Sequence, residues 1–543
     1  DLQNTLTLSG TLEFAVPQTL DNGTLVLNGG TLSVKDDVTI SSAIAHSLDS
    51  TVDISSGSTL THSGGDLNIG AKTLTLSGGG TFANLDKVVL NVPESVLKLD
   101  GISTVANVSV PVVLTTGKLD VDQNAVVQNL LHTGSSRVDI LDGKSLSVTN
   151  GFEVPQTMSM ELIGEGGTLT LSDNLTLAGT LKFPVSGILN SGTLFLNGGL
   201  LVIDENVTIG SDMVHVADAS INIASGKSIN YTGQEFNVEA LVLTLTGGGT
   251  FSNTNNLTLN DPASSLKLNG ISEVQKVSIS AELTSGKLEI AQNSTIENLA
   301  HSGSSRIDID NSKVLTLTNA FEIPSSQSME LVGTDNGTLV LGNQLTLSGI
   351  LKFSAPDTLS NGTLALNGGT LTVNETSNII SDITHLDDSI INVIADKTLT
   401  YSGSALDIGG FTLTLSGGGT FANSTDLRFN DPASVLNFGG IAEVSKVSFP
   451  VSLQTGKLNV TQNAKIQTLT HSGESIINIS SGKILTIAEG FTIGSSKSMV
   501  LNGSGGSLKL ENTLALSGTL QMDEQSTLDS GTLAFDGGIV SVN

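Results

Sequence analysis

Histidine and aspartate recur together at a fixed separation, and these residue types bind metal ions and transfer protons. In three places a histidine is followed three residues later by an aspartate: His46 and Asp49, His215 and Asp218, and His385 and Asp388. An imidazole and a carboxylate at this separation could share a metal ion or act as an acid–base pair. A turn whose side chains only face water is the alternative. We predict these six residues as weak candidates for a metal site.

A second set of histidines opens three similar phrases. His132 begins His-Thr-Gly-Ser-Ser-Arg, His301 begins His-Ser-Gly-Ser-Ser-Arg, and His471 begins His-Ser-Gly-Glu-Ser-Ile. The arginine of the first two phrases is replaced by isoleucine in the third, so no charged group is kept in all three. We interpret these phrases as a recurrent turn.

Other chemistry has no recognisable motif. The absence of cysteine excludes disulfides and thiol catalysis. No nucleophile elbow, phosphate-binding loop or zinc spacing is present. We predict no catalytic residue and no cofactor, apart from weak calcium binding at turns such as Asp21-Asn22-Gly23 and Asn260-Asp261. The calcium-binding repeat of β-rolls is absent.

The elements that must position these residues are set by a long internal repeat. The phrase Leu8–Leu12 returns as Leu177–Leu181, Leu347–Leu351 and Leu516–Leu520. The copies run over 1–169, 170–339, 340–508 and, in part, 509–543. One added residue lies where Gly164-Glu165-Gly166-Gly167 becomes Gly333-Thr334-Asp335-Asn336-Gly337, in a glycine-rich turn that tolerates insertion.

Within each copy, short segments alternate apolar and polar residues, as in Thr73-Leu74-Thr75-Leu76 and Val96-Leu97-Lys98-Leu99. Strict alternation is typical of a half-buried strand, and these segments recur about every 21 residues. We predict an all-β chain with negligible helix: a β-solenoid of about 25 turns that forms one continuous rod, roughly 120 Å long at the ~4.8 Å strand spacing. A row of β-sandwiches, one for each long repeat, is the alternative.

Bulky residues at fixed phase predict internal ladders. Three sets share this property: Phe14, Phe183, Phe353 and Met522; Phe82, Phe251 and Phe421; and Phe152, Phe321 and Phe491. The position before the first set is Glu13 in the first copy and Lys182, Lys352 and Gln521 in the others. Such variation is expected of a solvated face.

Charge limits the partners. The net charge of −29 repels nucleic acid and anionic lipid. The sequence contains no run of 18 apolar residues, the length that a membrane-spanning segment needs. Asp1 already lies within the repeat and Asn543 partway through a copy, so we expect a piece of a longer protein or a processed subunit. Open strand edges favour self-association into filaments or sheets.

The phrases Gly-Gly-Thr-Leu-Ser-Val (29–34), Ser-Gly-Gly-Gly-Thr-Phe (77–82) and Asn-Gly-Thr-Leu-Val-Leu (22–27) resemble those of large repetitive bacterial surface proteins, the autotransporter passengers and filamentous-haemagglutinin-like adhesins. The resemblance covers the whole chain and implies a right-handed parallel β-helix at the cell surface, acting as a stalk or adhesin. The chain departs from it in lacking a translocator barrel, a secretion domain and an Arg-Gly-Asp site.

Three functions follow in order. The first is a non-enzymatic extracellular structural protein: a rigid β-solenoid stalk, filament or surface-layer element. The second is a cell-surface adhesin that binds glycans or other surfaces, for which Tyr231 and Tyr401 are the available tyrosines. The third is a polysaccharide-degrading β-helix enzyme, such as a pectate lyase, which needs clustered carboxylates and a basic residue on adjacent turns. We find no such cluster in the sequence.

Overall fold

The computed structural model of the protein describes residues 1–333, 336–449, 456–503, 505–523 and 525–543. Within them the chain is all β, without helix, and its paired strands are parallel and come from successive turns. The chain is therefore a β-solenoid of about 24 turns, close to the predicted number. Parallel stacking confirms the solenoid and excludes the sandwiches, whose strands pair antiparallel. The right-handed sense of the coil stays a prediction.

Residue contacts group the chain into two compact units. Unit 1 contains Asp1–Thr258 and Ser265–Lys276, and unit 2 contains Leu259–Ser264 and Val277–Asn543. Two strands, Leu257–Leu259 and Glu273–Ile279, contain residues of both units. Each unit is built from three-sided turns, whose sides we call face 1, face 2 and face 3 in the order in which the chain passes through them from Thr11.

In unit 1, every turn contributes one strand to face 1 and one or two to the face 2 sheet, while face 3 is made of short separate sheets. The face 1 strands are Thr11–Phe14, Thr31–Val34, Ser50–Ile54, Thr73–Ser77, Val96–Asp100, Lys118–Val121, Ser136–Ile140, Ser159–Leu162, Thr180–Phe183, Leu200–Ile203, Ala219–Ile223, Val242–Thr246 and Ser265–Asn269. The face 2 sheet contains Gln18–Leu20, Val38–Ile40, Thr59–His62, Leu67–Asn68, Thr81–Asn84, Val88–Val89, Thr104–Val110, Ala125–His132, Ser145–Val148, Gly167–Leu171, Gly187–Asn190, Val207–Ile209, Ser228–Tyr231, Phe236–Asn237 and Thr250–Asn253. The face 3 strands are Thr5–Leu8, Thr24–Asn28 and Ala43–Leu48, then Phe152–Val154, Asn174–Leu177, Thr193–Asn197 and Asp212–Ala217.

Unit 2 repeats this arrangement. Its face 1 strands are Lys287–Ile290, Ser305–Ile309, Ser328–Val332, Ile350–Phe353, Thr370–Val373, Ser389–Val393, Thr412–Ser416, Val435–Phe438, Lys457–Val460, Ser475–Ile479, Ser498–Asn502, Thr519–Met522 and Ile539–Val542. The face 2 sheet contains Ser294–His301, Val314–Leu317, Thr338–Leu341, Thr358–Ser360, Ser377–Ile379, Thr398–Tyr401, Leu406–Asp407, Thr420–Asn423, Leu427–Arg428, Glu443–Phe449, Ala464–His471, Ile484–Ile487, Ser507–Leu510 and Thr527–Asp529. The face 3 strands are Phe321–Ile323, Gln344–Leu347, Thr363–Asn367 and Asp382–Asp387, then Phe491–Ile493, Thr513–Leu516 and Thr532–Phe535.

Aliphatic side chains stack inside the coil because the strands are in register. Leu74 pairs with Leu97, which pairs in turn with Leu119 on the next turn, and all three are buried. The residues that alternate with these leucines along each strand point outward. Burying one such leucine contributes about 1.5–3 kcal/mol, so every turn adds to a continuous apolar interior.

The predicted inward position of the phenylalanines is confirmed, whereas Met522 of the first set is only half-buried. The phenylalanines of the three sets are buried: Phe14, Phe183, Phe353, Phe82, Phe251, Phe421, Phe152, Phe321 and Phe491. They fill the interior at the same phase of successive long repeats.

A tight turn between face 2 and face 3 also keeps the long period. Its two residues have left-handed backbone angles in all copies: Asn22-Gly23, Ser191-Gly192, Asn361-Gly362 and Ser530-Gly531. At Gly192 a β-carbon would lie 2.2 Å from the carbonyl oxygen of Asp173 on the preceding turn. Glycine is therefore required by both the backbone angle and the close approach. Two residues of the predicted insertion, Thr334 and Asp335, lie outside the described residues. The limits of the long repeats as domain boundaries stay a prediction.

Face 3 is interrupted twice in each complete long repeat. The first break follows strands such as Ala43–Leu48, against which the next turn places Leu67–Asn68, a strand that belongs to the face 2 sheet. The second separates strands such as Ala125–His132 from Phe152–Val154, which begins a new sheet. A register shift marks the first break in three copies, between Leu27 and Asn28, Leu196 and Asn197, and Leu366 and Asn367.

Candidate functional site

The three histidines of the predicted metal set lie at the first break of face 3. The Nδ1–H group of His215 donates to the carbonyl oxygen of Val238 at 2.8 Å, across the break. The equivalent bonds join His46 to Ile69 at 2.8 Å and His385 to Ile408 at 2.6 Å. Side chains thus provide a hydrogen bond at the point where the strand ladder of face 3 stops.

The aspartates of this set bind the backbone of the following turn. Asp218 accepts the amide of Val242 through Oδ1 at 2.8 Å. The equivalent pairs are Asp49 with Thr73 at 2.8 Å and Asp388 with Thr412 at 2.6 Å. Each carboxylate therefore fixes the start of a face 1 strand.

Burial lowers the pKa of all three histidines, and the carbonyl partner and the neighbouring aspartate oppose this shift. His215 and His385 are buried rather than facing water. The Nε2 atom of each of the three has no hydrogen-bond partner among the described residues. Within those residues no three His, Cys, Asp or Glu side chains come together as metal ligands. The metal role of His46, Asp49, His215, Asp218, His385 and Asp388 stays a prediction.

Two of the three histidines in the second set contact serines, whereas His132 and Ser136 at the same spacing have no such bond. His301 donates from Nδ1 to the carbonyl of Gly303 at 3.1 Å and accepts the hydroxyl of Ser305 at Nε2 at 2.9 Å. His471 and Ser475 form the same pair at 3.0 Å. A serine bonded to an imidazole is the pair that acyl-transfer enzymes use, but Ser305 and Ser475 are buried inside the coil. The recurrent His-x-x-x-Ser spacing was the signal for this contact.

Charged residues form a pattern that corrects the sequence reasoning. On face 1, the Nζ atom of Lys118 lies 2.7 Å from Asp139 Oδ2 and 3.2 Å from Asp120 Oδ1, and the two aspartates are partners on adjacent turns. Lys287 repeats this with Asp308 and Glu289 at the same distances. The prediction that no basic residue meets carboxylates on adjacent turns was wrong, because turn lengths bring residues 19 apart side by side.

The glycan-binding prediction rested on tyrosines that are not exposed. Tyr231 and Tyr401 are fully buried. The hydroxyl of Tyr231 donates to the carbonyl of Gln234 at 2.7 Å and accepts the amide of Met213 at 3.2 Å. His62 occupies the same phase in the first repeat and is also buried. Neither tyrosine offers a platform for a sugar ring.

Open grooves lie along face 2 of unit 1. One, of about 670 Å³, is lined by residues that include Thr19, Thr39, Thr59 and Thr61. Two others, of about 330 and 250 Å³, have linings that include Ser147 and Thr208 respectively. A further groove of about 470 Å³ opens at the second break of face 3, beside His132 and Phe152. Face 2 is thus the side on which unit 1 offers polar concave surface.

Stacked turns, parallel ladders and a repeated interior define the chain as a β-solenoid repeat protein. No protein-family model, curated protein or solved structure matches it. No helix in the described part of the chain is long and apolar enough to cross a bilayer.

Proposed function

We propose that the chain is a non-enzymatic structural protein of the extracellular surface, in which stacked turns form a stalk, filament or surface-layer element. The observation that carries the proposal is the contrast between the interior and the exterior. Phe14, Phe183 and Phe353 keep one inward position, whereas the outward residues before them are Glu13, Lys182 and Lys352. Selection on scaffold geometry, without a fixed outward site at this phase, explains this contrast.

The hydrogen bonds between successive turns favour a structural role. The parallel ladders join each turn to the next within each unit, and aspartates such as Asp218 add a side-chain bond between turns. Because many small contacts repeat along the stack, the stability of a solenoid is close to a sum over neighbouring turns. Such a scaffold extends its length without requiring a new core.

We also propose a bacterial cell-surface location and self-association for this chain. The resemblance of the glycine- and threonine-rich phrases to autotransporter passengers and filamentous-haemagglutinin-like adhesins supports a bacterial cell-surface location. The net charge of −29 favours solubility outside the cell and disfavours nucleic acid as a partner. Self-association through strand edges is the assembly that we propose for a filament.

Electron microscopy of the purified chain tests the proposal. We expect elongated particles, or ordered filaments at higher concentration. Compact particles, or a row of beads, would contradict a stalk. Release of reducing or unsaturated sugars from a panel of polysaccharides would favour the enzyme instead, and labelling of intact source cells with an antibody checks the location.

A further inference from the structure

We propose that the outer surface of face 2 in unit 1 binds an uncharged, extended polysaccharide that lies across successive turns. This goes beyond a supporting role, because it assigns a ligand class to one side of the coil. It does not use the buried tyrosines.

Three separate grooves in unit 1 lie on the same face. One lies on the strands from Gln18–Leu20 to Thr59–His62, one on Ala125–His132 and Ser145–Val148, and one on the strands from Gly187–Asn190 to Ser228–Tyr231. Their volumes, about 670, 330 and 250 Å³, lie around the range of small-ligand sites. Grooves that recur along one face suit a ligand that repeats along its own length.

Hydroxyl and amide side chains predominate in the linings of the grooves. Register places Thr19 beside Thr39, and Thr39 beside Thr61, in one outward row. Thr208 lies beside Asn230 in the same way farther along the face. Hydroxyl and amide groups both donate and accept hydrogen bonds, which matches the hydroxyl groups of a sugar.

The linings of the three grooves carry little charge. Asp37 is the charged residue among those lining the three grooves, and its Oδ1 accepts the amide of Thr59 at 2.9 Å. These linings contain no lysine or arginine to pair with an acidic polymer, and the net charge of −29 repels one. An uncharged polymer is therefore favoured over a uronate or a sulfated chain.

The spacing of the strands suits the repeat of a sugar polymer. Adjacent strands lie about 4.8 Å apart, which is close to the length of one pyranose unit in an extended chain. A polysaccharide along face 2 would present one unit to each turn. Each contact is weak, and linked contacts along one ligand raise the overall affinity. The strands of face 2 are paired on both sides in this region, so an added peptide strand would find no free edge.

Affinity electrophoresis of the full chain tests the proposal, with dextran, hydroxyethyl cellulose and xyloglucan as neutral probes and polygalacturonate as the acidic one. We expect retardation by at least one neutral polymer and none by polygalacturonate. The triple variant Thr39→Val, Thr61→Val and Thr208→Val removes hydroxyls while keeping side-chain shape, and should weaken binding at least about tenfold.

The control variant carries Thr31→Val, Thr51→Val and Thr75→Val. These threonines form the corresponding outward row on face 1, so the control should bind as the unmodified chain does. Circular dichroism checks that both triple variants fold. Retardation by none of the neutral polymers, stronger retardation by polygalacturonate, or equal loss in both variants would overturn the proposal.

Discussion

The imidazole of His215 donates to the carbonyl of Val238 at 2.8 Å and so joins the last strand of a face 3 sheet to the segment that follows it on the next turn. Its Nε2 atom is buried without a hydrogen-bond partner among the described residues. Protonation would place a second N–H group there without an acceptor. The neutral ring therefore belongs to the folded state.

The free energy of unfolding should fall on acidification. Burial lowers the pKa of all seven histidines, to about 4 for His132 and His471. The unfolded chain then binds more protons than the folded one below the ordinary value of 6.5, so stability is lost as pH falls from there towards about 4. Thermal unfolding at about pH 7.5 and about pH 5 should differ by roughly 5 °C or more. The variant His215→Gln should reduce this difference. A melting temperature that is the same at both pH values would contradict the assignment of neutral, buried histidines to the folded state.

The substitution His62→Tyr should stabilise the first repeat. Tyr231 and Tyr401 occupy this phase in the other copies and contact Phe251 and Phe421, just as His62 contacts Phe82. A tyrosine removes a buried imidazole whose Nε2 is unpartnered. The melting temperature should rise and its acid dependence should shrink. The reverse variant Tyr401→His is the control, and should do the opposite.

The substitution Tyr231→Phe should cost about 1–3 kcal/mol, because it leaves the amide of Met213 and the carbonyl of Gln234 without their partner. Tyr401→Phe removes equivalent bonds to Ile383 and Ser404 in the other unit. Denaturant unfolding should show similar losses for the two variants. A loss near zero for both would mean that water replaces the hydroxyl.

The substitution Asp218→Ala should loosen the start of one face 1 strand. The carboxylate accepts the amide of Val242 at 2.8 Å, and loss of that bond should cost about 1 kcal/mol. Hydrogen exchange followed by mass spectrometry should show faster exchange in the segment containing Val242. Asp218→Asn keeps an acceptor and should preserve most of the protection; equal exchange in both variants would show that charge, rather than the bond, matters.

The substitution Lys118→Met should destabilise unit 1 by about 1 kcal/mol at low salt, because Asp120 and Asp139 would then face each other uncompensated. Screening should reduce the loss at high salt. Lys457 occupies this phase in the third repeat, where Asn459 and Asn478 replace the carboxylates. Urea unfolding of Lys457→Met is therefore the control, and a loss as large as that of Lys118→Met would argue against repulsion.

Alternation in the sequence was sufficient to predict the strands, the apolar interior and the phenylalanine ladders. It failed at the first break of face 3, where the register shift changes the side to which residues point. Leu48, which follows the shift, is 46% exposed although alternation would place it inside. His215 precedes the shift and points inward with Met213, so its 4% exposure follows alternation and was missed because histidine is polar. The pairing of Asp120 with Asp139 was also hidden, since turns differ in length. The equivalence of His62 and Tyr231, in contrast, could be read directly from the period.

The repeated tight turn at Asn22-Gly23, Ser191-Gly192 and Asn361-Gly362 has a consequence for how such a gene changes. Thr11–Phe14 and Thr180–Phe183 hold the same place in the coil, so removal of residues 11–179 would join Gly10 to Thr180 in frame. Every strand would then meet a neighbour of the kind that it has now. Recombination between copies can thus shorten or lengthen the protein by whole eight-turn modules, while an insertion within a strand would shift its register and turn its inward side chains outward.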